Sequence, residues 1–71
     1  MRNAYPIDVK KLRQVMKYRG ETAISITATT DISYNTINCL LRGKTKYPKL
    51  QTLGSLAIAL QVSWHMLVKE E

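Results

Sequence analysis

Within the segment Ser33 to Gly43, Ser-Tyr-Asn-Thr-Ile-Asn-Cys-Leu-Leu-Arg-Gly, the side chains Tyr34, Asn35, Thr36 and Asn38 gather just ahead of Arg42, Lys44, Lys46 and Lys49. The first set are uncharged hydrogen-bonding groups and the second are cations. An asparagine amide donates and accepts at once, so it can bond N6 and N7 of an adenine at a major-groove edge, while lysine and arginine neutralise phosphate. The chemistry on offer is reading and gripping a polyanion rather than making or breaking bonds. The bland alternative is an exposed helix face followed by a solvated basic loop.

A short helix is needed to present this face. Ser33 is a suitable N-cap; Ile37, Leu40 and Leu41 fall at the i, i+3, i+4 spacing of one apolar stripe; Gly43 stands where a helix end calls for positive φ. Thr36, Arg42, Lys44 and Lys46 suit phosphate contacts, which fix register without sequence preference, and Lys17 and Lys49 are weaker candidates.

Seventy-one residues make one domain, near the size at which a single core just suffices. A hydrophobic content of 45% argues for a folded globule, and a net charge of +6 favours a polyanionic partner. Between Ile32 and Lys69 there is no acidic residue, and four of the five basic residues there fall within Arg42 to Lys49. Catalysis is not expected. No Gly-rich phosphate loop is present, and capping, turn and tail roles account for Asp8, Glu21, Asp31, Glu70 and Glu71. One histidine, His65, and one cysteine, Cys39, do not make a metal site, so no cofactor is expected. A single cysteine, no run of roughly 20 apolar residues and no secretory leader point to the cytoplasm.

Five helices are expected. Residues 1 to 7 read as an N-terminal arm from which Arg2, Asn3 and Tyr5 could touch DNA, though chain ends usually fray. The rest, 8 to 71, reads as a single domain. Helix one runs from an Asp8 cap to about Arg19, with Val9, Leu12, Val15 and Met16 inward and Gly20 as its stop. Glu21 to Asp31 is β-branched enough to be drawn as a strand, but a lone strand has no partner here. Ala23, Ile26, Thr27 and Thr30 make a helical stripe with Thr22 as N-cap, and this is helix two. After the recognition segment as helix three, Pro48 signals a new start, and Leu50, Leu53, Leu56, Ala57 and Leu60 follow as helix four. Gly54 lies off that stripe and hints at close approach by a neighbour. Ser63 can cap a fifth helix to about Lys69, with Trp64, Leu67 and Val68 inward and Val62 as a staple.

The string Thr22 to Gly43, followed by Pro48 and a leucine-spaced helix ending in Val62-Ser63, resembles the Xre/Cro/phage-repressor family of helix-turn-helix domains. The likeness spans Asp8 to Val68 and rests on Ile26, Asp31-Ile32-Ser33, Ile37, Arg42-Gly43, Pro48 with Leu53, and Ala57 to Ser63. It implies an all-α, compact five-helix lambda-repressor-like DNA-binding domain with the helix-turn-helix at helices two and three. By that likeness Tyr34, Asn35 and Asn38 meet the bases. Four positions depart. Ala23 stands where the family places a phosphate-bonding glutamine, Asp31 where it places a turn glycine, and Thr27 and Thr30 where it places core alanine and leucine.

The resemblance implies a small Cro- or repressor-type transcriptional regulator, in a bacterial host cell if phage or prophage encoded, with double-stranded DNA as partner and a homodimer on two-fold sites. Trp64 and Met66 are candidates for a protein interface, Trp64 being weighed equally as a lid on the core. The rival reading keeps the fold but makes the chain an anti-repressor or co-repressor of a phage lysis-lysogeny switch, in a heteromeric complex with a partner repressor.

Overall fold

The computed structural model describes residues 5–69. Four α-helices follow in order, α1 (Val9–Arg19), α2 (Ala23–Thr29), α3 (Tyr34–Leu41) and α4 (Leu50–Leu60), and then one 3-10 turn, Trp64–Leu67. The expected fifth helix is thus a single turn. Ser63 does cap it, but Val68 leaves it with extended backbone, φ −114° and ψ 154°, to form an antiparallel bridge with Ile7. A residue whose backbone pairs in that bridge cannot continue a helix.

Local chemistry explains each boundary. Asp8 Oδ1 accepts the Lys11 N–H at 3.1 Å, satisfying one of the orphan donors of α1. The segment that could have been a strand is a helix because Thr22 and Ser25 form a reciprocal capping box, each side chain bonded to the other's backbone N–H, and because Ile26 is fully buried. Its β-branched composition supplies little helicity of its own, so packing holds it.

Between α2 and α3, Asp31 stands where the family places a turn glycine but does not take a left-handed conformation. Among the described residues only Gly20, Gly43 and Gln61 have positive φ. Thr30 replaces that device: its Oγ1 donates to the Ile26 carbonyl at 2.8 Å and accepts the Ile32 N–H at 3.1 Å. One hydroxyl thereby ties off α2 and directs Ile32 into the core. Thr27, in contrast, has a buried Oγ1 with no hydrogen-bond partner.

The core is drawn from every element, with Leu12 and Met16 of α1, Ile26 of α2, Ile37 and Leu40 of α3, and Leu53, Leu56, Ala57 and Leu60 of α4. Ile32 from the turn, Leu67 from the 3-10 turn and Ile7 complete it. Full burial of one such leucine or isoleucine contributes roughly 1.5–3 kcal/mol. Leu50, expected in this stripe, is 38% exposed, because the first turn of α4 projects past the core edge and the stripe begins at Leu53.

Tyr5 to Ile7, read from the sequence as a lead-in prone to fray, is held on both sides. Tyr5 N–H donates to the Pro48 carbonyl and Ile7 N–H to the Lys46 carbonyl, while Lys69 N–H donates to Pro6. Ile7 is 3% exposed, so its side chain anchors what its peptide groups pair. Arg2 and Asn3 lie outside the described residues.

Gly54 does not mark a close approach: nothing stands within 4 Å of a Cβ built there. Gly54→Ala should therefore stabilise the domain by about 1 kcal/mol, raising the thermal midpoint by several degrees. Thr27→Val, which keeps the shape and removes an unsatisfied hydroxyl, should add about 1 kcal/mol in urea denaturation.

Candidate nucleic-acid interface

The face singled out in the sequence is built on α3, whose start is capped and whose end is closed. Ser33 Oγ accepts the Thr36 N–H at 3.1 Å. At the other end the Asn38 carbonyl takes the Arg42 N–H, Cys39 takes those of Lys44 and Thr45, and Leu40 takes that of Gly43. The Gly43 and Lys44 bonds form a Schellman closure around Gly43, whose φ of 76° costs a side-chain-bearing residue more than glycine. The last carbonyl, Leu41, is met from α1: Arg13 Nη2 donates to it at 2.7 Å.

With Ile37 and Leu40 fully buried, the 100° step of the helix carries Asn35 to the opposite side. Asn35 is exposed, Tyr34 is 49% exposed, and Asn38 is half-buried on one flank. Thr36 is half-buried on the other flank with its Oγ1 2.8 Å from Ser33 Oγ, so its hydroxyl already has a local partner. Arg42, Lys44, Lys46 and Lys49 all keep exposed side chains. Their loop is nevertheless pinned through its backbone, at Lys44 and Thr45 to α3 and at Lys46 and Pro48 to Ile7 and Tyr5. Exposed cations on a fixed backbone hold their relation to the α3 face.

Two further features beside this face escaped the sequence reading. Cys39 lies one turn beyond Asn35 on the same outward line, half-buried, and the i to i+4 spacing from Asn35 is the signal that locates it. The start of α4 is the second. Lys49 occupies its N-cap without a side-chain hydrogen bond, so its first backbone N–H groups stand uncapped beside the basic loop. The absence of Ser, Thr, Asp or Asn at position 49 is a legible sign of this.

Charge is segregated. From Gly20 to Leu41 there is no lysine or arginine and there are two carboxylates, Glu21 and Asp31. Glu21 Oε1 accepts the Ser25 hydroxyl at 2.7 Å beside the first turn of α2, and Ala23 there is half-buried with no polar side chain. The helix pair itself is neutral to acidic, and nine of the eleven lysines and arginines lie on α1 or within Arg42 to Lys49.

Trp64 is half-buried and closes the core edge, its ring 4.8 Å from that of Tyr5 and stacked at 3.9 Å on exposed His65. Met66 is 50% exposed and lies in a mainly apolar groove with Val15, Tyr18 and Val62. Sequence reasoning paired Trp64 with Met66; the structure gives them different surroundings.

A family model described as the Cro/C1-type HTH DNA-binding domain matches residues 11–65, from within α1 to the 3-10 turn. The chain belongs to that family. Its α2 and α3, joined through Thr30 to Ser33, are the helix-turn-helix of this Cro/C1-type domain, and DNA is its ligand class. No curated protein matches the chain. Among the described residues no helix is long and apolar enough to cross a membrane.

Because Ser33 Oγ is the N-cap acceptor of α3, Ser33→Ala should cost about 1 kcal/mol in denaturant unfolding and should fray the helix start in amide exchange at Thr36.

Proposed function

We propose that this Cro/C1-type domain is a sequence-specific transcriptional regulator that lays α3 in the major groove, as a dimer on a two-fold operator. The observation that carries this reading is the outward position of Asn35 on a helix whose opposite side is locked by Ile37 and Leu40, next to four exposed cations on a pinned loop. Asn35 reads a base, with Tyr34, Asn38 and Cys39 beside it. Arg42, Lys44, Lys46 and the uncapped start of α4 hold phosphates, and Thr36 steadies the helix start. The exposed Met66 and Tyr18 around the apolar groove supply the contact between copies. The setting is a bacterial cytoplasm, in a phage or prophage regulatory circuit.

A second reading draws on the same groove and on Ala23. A chain lacking a polar side chain at the head of α2, and exposing Tyr18 and Met66, suits an anti-repressor or co-repressor that grips a partner repressor.

Selection from a random duplex library by the purified chain at near-physiological salt separates the two. A two-fold motif with half-sites about 34–36 Å apart supports the dimeric operator reader. Salt-sensitive retention without a motif turns the reading to the partner complex. On a recovered motif, Asn35→Ala should relax preference at one base position by about 1–3 kcal/mol. Lys46→Ala should weaken all sequences alike and shallow the salt dependence by about 0.9 in the log–log slope.

A further inference from the structure

Helix α1 carries two arginines whose guanidinium groups reach across the domain to the ends of other helices. Arg13 Nη2 meets the carbonyl of Leu41, the last residue of α3, at 2.7 Å, and Arg19 Nη2 meets the carbonyl of Gln61, just past α4, at 3.2 Å. Carbonyls at a helix C-terminus lack intrahelical partners and carry the negative end of the helix dipole, so a cation there is doubly favoured. The two bonds do different work. Both helix ends are closed by the same backbone pattern, around Gly43 and around Gln61, but Arg19 meets the carbonyl of the left-handed residue past α4, whereas Arg13 meets a carbonyl of α3 itself. The carbonyl of Leu41 lies at the point where the recognition helix hands over to the basic loop. The nearest backbone neighbours of α3 are α2 and α1, so its tilt is set by packing on one side and by this bond at its far end.

From this geometry we infer that Arg13 is a positioning residue for DNA specificity. By holding the C-terminus of α3 against α1, it fixes the angle at which Asn35 and Asn38 are presented and the direction in which Arg42 to Lys49 leaves, without touching a base. A planar guanidinium with several donors in a rigid fork can hold such a carbonyl in one direction, which a flexible ammonium does less well. The inference rests on the operator-reading function proposed above.

Three variants test it: Arg13→Met, Arg13→Lys and, as a control for the same kind of bond elsewhere, Arg19→Met. Two readouts are taken, amide hydrogen exchange of the free protein and the ratio of selected-motif to random-duplex affinity across a salt series. Arg13→Met should speed exchange at Gly43, Lys44 and Thr45 severalfold and lower the affinity ratio about tenfold, with the salt slope unchanged. Arg13→Lys should recover part of both, and Arg19→Met should leave exchange at 43–45 unchanged. An unchanged ratio overturns the inference. So does equal loss on both duplexes with the salt slope shallower by about 0.9, since that marks Arg13 as a phosphate ligand. Should the wild-type chain select no motif, the operator-reading function itself falls, and exchange alone judges Arg13. No acceleration at 43–45, or equal acceleration in Arg19→Met, then removes its claim to hold α3.

Discussion

An eight-residue helix does not persist in water by itself, because nucleation is costly and isolated helices below about 12–15 residues are marginal. Most of what surrounds α3 answers that constraint. Ser33 satisfies its start, Gly43 and the two amides that follow close its end, and Arg13 takes the one carbonyl the local chain does not reach. Ile37 and Leu40 then contribute the burial that makes the helix worth forming, packed into a core to which every other element adds at least one side chain. The few exposed polar residues of α3 are thus held in place by a hydrophobic cluster drawn from the whole fold.

The same economy divides gripping from reading. The helices that would lie nearest a duplex carry no positive charge between Gly20 and Leu41, and most of the cations stand on α1 and on Arg42 to Lys49. Phosphate attraction acts over about a Debye length and tolerates this displacement, whereas hydrogen bonds to base edges tolerate almost none. It follows that the loop need only be correctly placed, which its backbone bonds to Tyr5 and Ile7 achieve, while α3 must be correctly oriented.

Helix periodicity and end signals made α1, α3 and most of α4 legible, because Leu12, Met16, Ile37, Leu40, Leu53, Leu56 and Leu60 repeat at the spacing of one buried face and Gly20 and Gly43 mark two of the stops. What escaped was decided by contacts distant in sequence. The last segment is one turn rather than a helix because Val68 is taken by Ile7, and Tyr5 to Ile7 is fixed because its partners lie at residues 46, 48 and 69. At the α2–α3 turn a hydroxyl does the work that the family gives to a turn glycine, since Thr30 can both donate and accept where a glycine could do neither with a side chain. On the reading face, amide chemistry drew attention to Asn35 and Asn38. The thiol of Cys39 shares that outward line by helical geometry alone, and its chemistry gave no reason to look there.

The pairing of Ile7 with Val68 has a bearing on how the chain reaches this state. It joins opposite ends of the described residues, so the loop it closes is nearly the whole domain, and the entropy of that closure is not offset until the helices between have docked. The helices, by contrast, are built from contacts near in sequence and can assemble quickly. On this entropic ground the terminal strap is expected to engage after the bundle has formed. Because the same strap holds the carbonyls of Lys46 and Pro48, the part of the basic loop beyond Thr45 is fixed together with it.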